Sequence, residues 1–310
     1  MTSTSTADPS SAMAETPNWL EMPHEIMAMI LQRLGAVEIL DSAQKVCTTW
    51  RRICKDPAMW KVIDIHYSSD GWDTDYDIEK LTKQAVHRSC GELIDISLEC
   101  FGTDDLLDHI SRCSSKLKHL RLTNCYSIRG SGLTHAVKNL PHLETLHLFY
   151  TSIYPEDIEV IGRNCPHLKS FKMKTEFRQS HIECDADALA IASSMPALRH
   201  LQLFGSKMTD DGLQVILQGC PHLESLDLRR CFNLKLGGNL GKLCKERIKD
   251  FKRPNDSTED CGFCAGVYDF DEFDDMNLSV YCDIDGFYDD HEVSDDSIIS
   301  ADDDEDYYLL

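Results

Sequence analysis

Residues 221–231 read PHLESLDLRRC, and close variants of this stretch occur at 141–148 (PHLETLHL) and at 166–173 (PHLKSFKM). Aligned on the first leucine, six copies share the apolar pattern L-x-x-L-x-L, and successive copies begin 24 to 30 residues apart. They begin at Leu93, Leu117, Leu143, Leu168, Leu198 and Leu223, and a degraded copy follows at Ile248. One such unit is too small to bury its own apolar face, so the pattern predicts several units stacked side by side.

Each copy predicts a short strand followed by a returning helix. Side chains of a strand alternate between its two faces, so Leu120 and Leu122 should point into a core while Arg121 points outward. Residues 211–220 have the apolar spacing of a helix, and Pro221 ends that helix because proline lacks an amide donor. The pattern and its period are those of leucine-rich repeats, and they predict an α/β fold: a solenoid with a curved parallel sheet and outer helices.

The outward-pointing strand positions form the predicted target-binding surface of the solenoid. This set comprises Arg121, His147, Phe149, Lys172, Lys174, Gln202, Phe204, Asp227 and Arg229. Phe149 and Phe204 are expected to be the anchors, because an exposed aromatic side chain on a rigid strand is a common binding hot spot. The alternative, in which both rings contact only neighbouring strands, stays open.

The histidines and cysteines of the repeats are interpreted as structural residues. His142, His167 and His222 lie at the helix-to-strand corners, where neither a cysteine nor a carboxylate recurs at metal-ligand spacing. Cysteines that follow the strands are expected to turn inward as small core residues; they are Cys100, Cys125 and Cys231.

Residues 18–62 have a different pattern, with two predicted helices and apolar residues on more than one side. The first helix begins at Pro23 and ends before Gly35, and the second runs from about Val37 to Cys54. Because so much apolar surface is uncommon on a small unit, part of it is expected to be buried against another chain. The alternative is that all of it packs on the first repeat.

The same stretch resembles the F-box motif. The resemblance rests on four segments: Leu20-x-x-Pro23, Ile30-Leu31-x-x-Leu34, Val46-Cys47-x-x-Trp50-Arg51 and Asp56-Pro57-x-x-Trp60. Followed by cysteine-containing leucine-rich repeats, it is similar to the plant-type F-box/leucine-rich-repeat proteins, the substrate receptors of Skp–cullin–F-box E3 ubiquitin ligases. The resemblance covers residues 18–253.

The resemblance implies partners and roles. The F-box would bind a Skp-type adaptor, and through it the cullin and RING subunits, while the repeats bind a target protein that the sequence does not name. The implied adaptor-binding residues are Leu20, Pro23, Ile26, Ile30, Leu31, Leu34, Val46, Trp50 and Trp60. The chain is expected to be a non-catalytic subunit without a cofactor, since it lacks the triad, nucleotide-binding and zinc-hydrolase motifs.

The charge of the chain is divided unevenly. The formal net charge is −22, yet residues 256–310 contain twenty Asp and Glu and no Lys or Arg. The other 33 acidic and 31 basic residues give the first 255 residues a net charge of −2. This balance argues against nucleic acid as a partner, because phosphate contacts need clustered Lys and Arg.

The apolar runs of the sequence are too short for a membrane span. A leader without targeting features predicts that the protein is in the nucleus, the cytoplasm or both.

Two groups of metal-ligating residue types have poor spacing. Cys261-x-x-Cys264 with Cys282 and His291 contains one zinc-like spacing, but the acidic composition around it favours disorder. The carboxylates between 70 and 77 lack the glycine and glutamate positions of a calcium loop. No metal site is therefore predicted.

Five segments result from these patterns. They are a disordered leader (1–17), the F-box (18–62), a loop and the first repeat helix (63–92), the repeats (93–254) and a disordered acidic tail (255–310). The competing interpretation is a non-ligase repeat scaffold or a transcriptional co-regulator, whose acidic, aromatic tail would recruit other proteins. Binding to a Skp-type adaptor separates the two interpretations.

Overall fold

The strands form one parallel sheet whose order follows the chain. The computed structural model describes residues 22–66, 77–151, 153–174 and 183–261. In these ranges eight strands pair side by side in sequence order, which confirms the predicted α/β solenoid. They are β1 (Val62–His66), β2 (Asp95–Glu99), β3 (His119–Thr123), β4 (Thr145–Phe149), β5 (Ser170–Lys174), β6 (His200–Phe204), β7 (Ser225–Asp227) and β8 (Asp250–Lys252).

Apolar residues at equivalent strand positions stack in rows under the sheet. Leu120 is in register with Ile96 on one side and with Leu146 on the other, and all three are fully buried. This row runs through every described strand: Ile63, Ile96, Leu120, Leu146, Phe171, Leu201, Leu226 and Phe251. Since each repeat supplies one member of the row, the core is shared between repeats and none encloses its own.

The helices that follow the strands form the second layer. In the repeats they are α5 (Ile78–Arg88), α6 (Asp104–Cys113), α7 (Gly130–Ala136, continued by a 3-10 turn at Val137–Asn139), α8 (Pro155–Asn164), α9 (Ala186–Ser194), α10 (Asp210–Gly219) and α11 (Leu240–Arg247). In α6, Leu106, Leu107 and Ile110 lie on one buried face. Thr103 caps this helix, since its Oγ1 accepts a hydrogen bond from Leu106 N at 3.3 Å. The other face of the sheet carries no described helix, and we call it the helix-free face.

Carboxylates near the helix starts join consecutive repeats. Asp185 accepts hydrogen bonds from the backbone N and the Oγ1 of Thr209 in the next repeat, at 2.7 and 2.8 Å. Asp210 accepts three backbone hydrogen bonds at 3.0 Å from the next loop, from Lys235, Leu236 and Gly237. A carboxylate that accepts several backbone N–H groups satisfies donors that the loop itself leaves unpaired. These bonds set the spacing of the repeats at the rim.

The cysteines after the strands behave differently from one another. Cys125 and Cys231 are fully buried, as predicted, and burial raises the pKa of each thiol to about 12. The prediction for Cys100 is wrong, because its side chain is exposed. Its φ of +65° matches the +55° of Asn124 and the +57° of Tyr150, the residues directly after β3 and β4. Cys100 therefore occupies the left-handed turn position, one residue before the position that turns inward.

The N-terminal helical unit begins as predicted. Helix α1 spans His24–Gln32, directly after Pro23, and Gly35 follows with a φ of +87° that favours glycine.

The second predicted helix is not continuous. The chain forms α2 (Ala36–Glu38), a π-helical turn (Ile39–Ala43), α3 (Gln44–Val46) and α4 (Thr48–Ile53). Cys47 is extended, with φ −156° and ψ 170°, so the helix breaks there. Its Sγ accepts a hydrogen bond from Trp50 N at 3.4 Å, which makes Cys47 the N-cap of α4. Helical spacing of apolar residues continues across this break, which explains why the sequence did not reveal it.

The 3-10 turn Pro57–Trp60 leads into β1, a strand that the sequence analysis did not predict.

Residues up to Thr258 belong to one unit and those from Glu259 to a second, of which only 259–261 are described. The predicted leader, the segment 67–76 and the rest of the acidic tail lie outside the described residues. No helix within the described ranges is long and apolar enough to cross a membrane.

Candidate functional site

The N-terminal helical unit is joined to the first repeat by a buried polar cluster. Trp60 is 1% exposed, and its Nε1 donates a hydrogen bond to the carbonyl oxygen of Cys54 at 2.9 Å. Arg88 of α5 donates to the same carbonyl at 3.1 Å and to Gln44 Oε1 at 2.6 Å. Its guanidinium carbon lies 5.6 Å from the centre of the Trp60 ring, within cation–π range. Burial lowers the pKa of Arg88.

Two of the implied adaptor-binding residues therefore belong to the core. Leu31 is fully buried and Trp60 almost so, which leaves neither side chain available to a partner in this conformation. These two apolar side chains pack on the neighbouring helices and the first repeat. The motif alone does not distinguish such core residues from residues that contact a partner. Leu20 lies outside the described residues.

Other apolar residues of α1 and the turn after it are exposed. Ile26 is 46% exposed, Met29 58% and Leu34 45%, and Ile30 is half-buried. Residues three and four positions apart share one side of a helix, so Ile26, Met29, Ile30 and Leu34 form a continuous surface, which we call the α1 patch. A cluster of exposed apolar side chains on a short helix is typical of a protein-binding surface.

The remaining implied contacts lie on the neighbouring segments. Val46, at the end of α3, is 63% exposed, Trp50 of α4 is half-buried, and Pro23 is exposed. Helix α4, which contains Trp50, contacts α1. Met29 belongs to the patch although the sequence analysis omitted it, and its apolar side chain at helical spacing was the available signal. Arg88 and Gln44 had no such signal, since they are 44 residues apart.

The middle positions of the strands form a polar row on the helix-free face. Arg121, His147, Lys172, Gln202 and Asp227 are in register on five neighbouring strands. This arrangement brings together side chains that are far apart in the sequence, as the repeat pattern predicted. Strand pairing places neighbours in such a row about 5 Å apart.

Charged residues at the two ends of this row are engaged by partners on the same face. Arg121 makes a bidentate ion pair with Asp95, with N–O distances of 2.7 and 2.9 Å. Burial raises the pKa of Asp95, while the adjacent Arg121 opposes that shift. Asp227 and Arg229 form a second pair, at 2.7 Å between Nη2 and Oδ2, with side chains 11% and 4% exposed.

Asp227 and Arg229 are therefore less accessible than expected, and target binding by them stays a prediction. Arg229 also donates to the carbonyl oxygen of Ser257 at 2.8 Å, so the pair is part of the packing at the C-terminal end of the repeats. Each member of a buried ion pair compensates the charge of the other, because either charge alone would be costly to bury.

Phe149 and Phe204 are also less accessible than predicted. They are 7% and 2% exposed, so the expectation that both rings are exposed is wrong. Both are in register with Lys174, which is 2% exposed. Lys174 Nζ lies 4.3 Å from the centre of the Tyr150 ring and 5.2 Å from that of Phe204, and it donates to the Tyr150 hydroxyl. Because parallel strands are so closely spaced, large side chains in one row cover one another. Target binding by these residues stays a prediction.

His147 is held in the neutral form. Its pKa is lowered to about 3, first by burial and then by the charges of Lys172, Arg121 and His119. A ring nitrogen lies 3.2 Å from Ser170 Oγ, at hydrogen-bond distance. His147 therefore adds no positive charge to the row at neutral pH.

Replacing His147 with Gln should flatten the pH dependence of stability. Below the ordinary histidine pKa of 6.5, the unfolded state binds a proton and the folded state, with a pKa of about 3, does not. The free energy of unfolding of the unmodified protein should thus fall, relative to His147→Gln, by about 1.4 kcal/mol per pH unit as the pH decreases. Urea unfolding of both proteins between pH 7 and 5 measures this difference. Parallel profiles would contradict the assignment.

No group of three or more His, Cys, Asp or Glu side chains is placed to hold a metal ion in the part of the chain that the structure describes. Cys264, Cys282 and His291 of the rejected zinc arrangement lie outside it. The α1 patch and the helix-free face are the candidate functional surfaces of the described ranges.

Both the N-terminal helical unit and the repeats match known protein families. Residues 19–66 match the family described as F-box-like, and residues 175–237 match "FBD-associated F-box protein At5g56370, LRR repeats". F-box protein SKIP19 of Arabidopsis thaliana is 46% identical over 297 residues, covering 94% of this chain and 96% of that protein. Putative F-box/LRR-repeat protein 23 of the same plant is 47% identical over 81% of this chain and 59% of that protein. With a helical unit and a repeat solenoid that fit these matches, the chain belongs to the F-box/LRR-repeat proteins.

Proposed function

We propose that this chain is the substrate-recognition subunit of a Skp–cullin–F-box E3 ubiquitin ligase. In this proposal the F-box binds a Skp-type adaptor, which links it to the cullin and RING subunits, and the repeats bind the protein to be ubiquitinated. The single observation that supports it most is the α1 patch, an exposed apolar surface within a segment that matches the F-box family. Binding an adaptor requires a surface of this kind and no catalytic centre.

The mechanism requires no bond chemistry from this chain. Binding a target on the helix-free face holds one of its lysines near the ubiquitin-conjugating enzyme, and this raises the effective concentration of the two reactants. The packing of Trp60 and Arg88 between the F-box and the first repeat supports such a role, because a packed junction restrains the distance between the two binding surfaces.

The experiment that tests the proposal is reconstitution. The full chain is co-expressed with a Skp-type adaptor and purified by size-exclusion chromatography, and the complex is then supplied with cullin, RING subunit and ubiquitination enzymes. We expect co-elution with the adaptor and adaptor-dependent ubiquitination of captured proteins. Failure to co-elute would overturn the proposal and would favour the scaffold interpretation.

A further inference from the structure

Exposure of the outward side chains on the helix-free face decreases from the first strands to the last. The outward side chains of β1 are all exposed, and Val62 is 63% exposed. On β6 and β7, by contrast, Gln202 and Asp227 are 6% and 8% exposed, although His200 at the start of β6 is open to solvent. The accessible end of the helix-free face is therefore its N-terminal end.

The first two strands supply one accessible surface. The outward residues of β1 and β2, which we call the β1–β2 face, lie side by side in the sheet register. They are Val62, Asp64, His66, Asp95, Ser97 and Glu99. Three of the six carry a carboxylate and none is a lysine or an arginine, so this face is acidic.

One of the three carboxylates is neutralised by a neighbouring strand. Asp95 accepts both hydrogen bonds of the bidentate pair with Arg121 of β3. Asp64 and Glu99 are exposed, and neither makes an ion pair with a residue that the structure describes. Burial is the main cause that raises the pKa of Asp95, and the negative charge of Asp64 raises it further. Two negative charges of the β1–β2 face thus have no compensating cation within the described ranges.

The spacing of these two carboxylates fits an extended basic segment. Asp64 is in register with Ser97, and Glu99 follows Ser97 by two residues on the same side of β2. Diagonal neighbours of this kind are about 7–8 Å apart. Residues two positions apart in an extended chain are about 7 Å apart and point to the same side. Two basic residues separated by one residue can therefore each meet one carboxylate.

We propose that the β1–β2 face binds an extended segment of the target protein in which two lysines or arginines are separated by one residue. One basic side chain pairs with Asp64 and the other with Glu99. The aliphatic stem of the first packs on Val62, since long basic side chains cover apolar surface while their charged ends stay in water. Opposite charge also speeds the encounter of the two surfaces.

The position of the β1–β2 face suits a substrate receptor. Strand β1 begins directly after the 3-10 turn Pro57–Trp60 of the F-box, and α2 contacts it. A segment bound there lies at the end of the solenoid that carries the F-box. The inference rests on the proposed function only in naming the owner of the segment as the target protein.

The test is a residue-resolved NMR titration of the full chain with two peptides. The probe is acetyl-Gly-Lys-Ser-Lys-Gly-amide, and the matched peptide has glutamine in place of both lysines. Signals of β1 and β2 are followed individually, so attraction of the probe to acidic residues elsewhere in the chain is scored separately. We expect the probe, and not the matched peptide, to shift the methyl signals of Val62 and the amide signals of Asp64, Ser97 and Glu99.

Charge-removing variants assign the site. Asp64→Asn and Glu99→Gln should each weaken probe binding, measured at the Val62 methyl groups, about threefold, and the double variant about tenfold. Glu246→Gln is the matched control, because this exposed glutamate lies on α11, outside the β1–β2 face. It should change the same affinity by less than about 1.5-fold.

Three outcomes would contradict the inference. Equal shifts with both peptides, or equal effects of Glu99→Gln and Glu246→Gln, would overturn the β1–β2 face as a basic-segment site. Loss of the Val62 shift in the presence of a saturating Skp-type adaptor would overturn its assignment to the target, since the adaptor would then occupy the face. The titration itself needs no adaptor, so failure of the ligase proposal, which is scored by co-elution, is recognised independently.

Discussion

The double substitution Ile26→Glu, Leu34→Glu should reduce the affinity for a Skp-type adaptor by at least about a hundredfold, because two central apolar anchors of an interface are worth about 2 kcal/mol or more each. Both side chains are nearly half exposed in the free chain, at 46% and 45%. Their replacement therefore removes contacts with a partner and little internal packing. A carboxylate buried against an apolar partner adds a desolvation penalty.

The measurement is titration of purified adaptor against each protein by calorimetry, with a thermal melt of the same samples. Leu189→Glu is the matched control, since this leucine of α9 is 53% exposed on a repeat helix and lies outside the α1 patch. It should bind adaptor as the unmodified chain does. If the double variant also kept its affinity, the α1 patch would not be the adaptor surface.

Trp60→Ala should lower the free energy of unfolding by about 3–5 kcal/mol, the cost of removing a large buried aromatic side chain. Trp60 fills the junction between the F-box and the first repeat and is 1% exposed. Its loss would open a cavity, remove the hydrogen bond to the Cys54 carbonyl and leave Arg88 without the ring it lies over. A residue that served mainly as an adaptor contact would instead lose affinity at unchanged stability.

Urea unfolding measures this effect, and two variants calibrate it. Val62→Ala, at a 63% exposed position just beyond the junction, should change stability by less than about 0.5 kcal/mol. Trp60→Phe keeps much of the volume and removes the N–H donor, so about 1–2 kcal/mol should be lost. Equal stability of Trp60→Ala and the unmodified chain would show that Trp60 is not a core residue.

The candidate surfaces were predictable in location but not in accessibility. The resemblance to the F-box motif identified Ile26, Ile30 and Leu34, and strand alternation identified the row from Arg121 to Asp227. Neither pattern separates an exposed apolar residue from one that packs on a distant segment. Leu31 and Trp60 were for this reason assigned to the adaptor surface, and Phe149 and Phe204 to an exposed face.

The repeating unit follows directly from the order of the amino acids. An apolar residue at every second strand position and a repeat of 24 to 30 residues dictate strands that stack in register, because each unit can bury its apolar side only against the next. Local chemistry likewise determined the start of α1 at Pro23 and the stop at Gly35. These features depend on residues close together in the chain.

Tertiary structure alone decided which polar groups are paired. Arg88 meets Gln44 and Cys54, and Arg229 engages Asp227, only once neighbouring strands and helices are in their final positions. The same holds for the Gln202 amide, whose Nε2 has no partner among the described residues. Hydrogen bonds act over about 3 Å and are directional, so periodicity can place a residue on a face without specifying its partner. The target surface and the domain junction are consequently properties of the assembled solenoid.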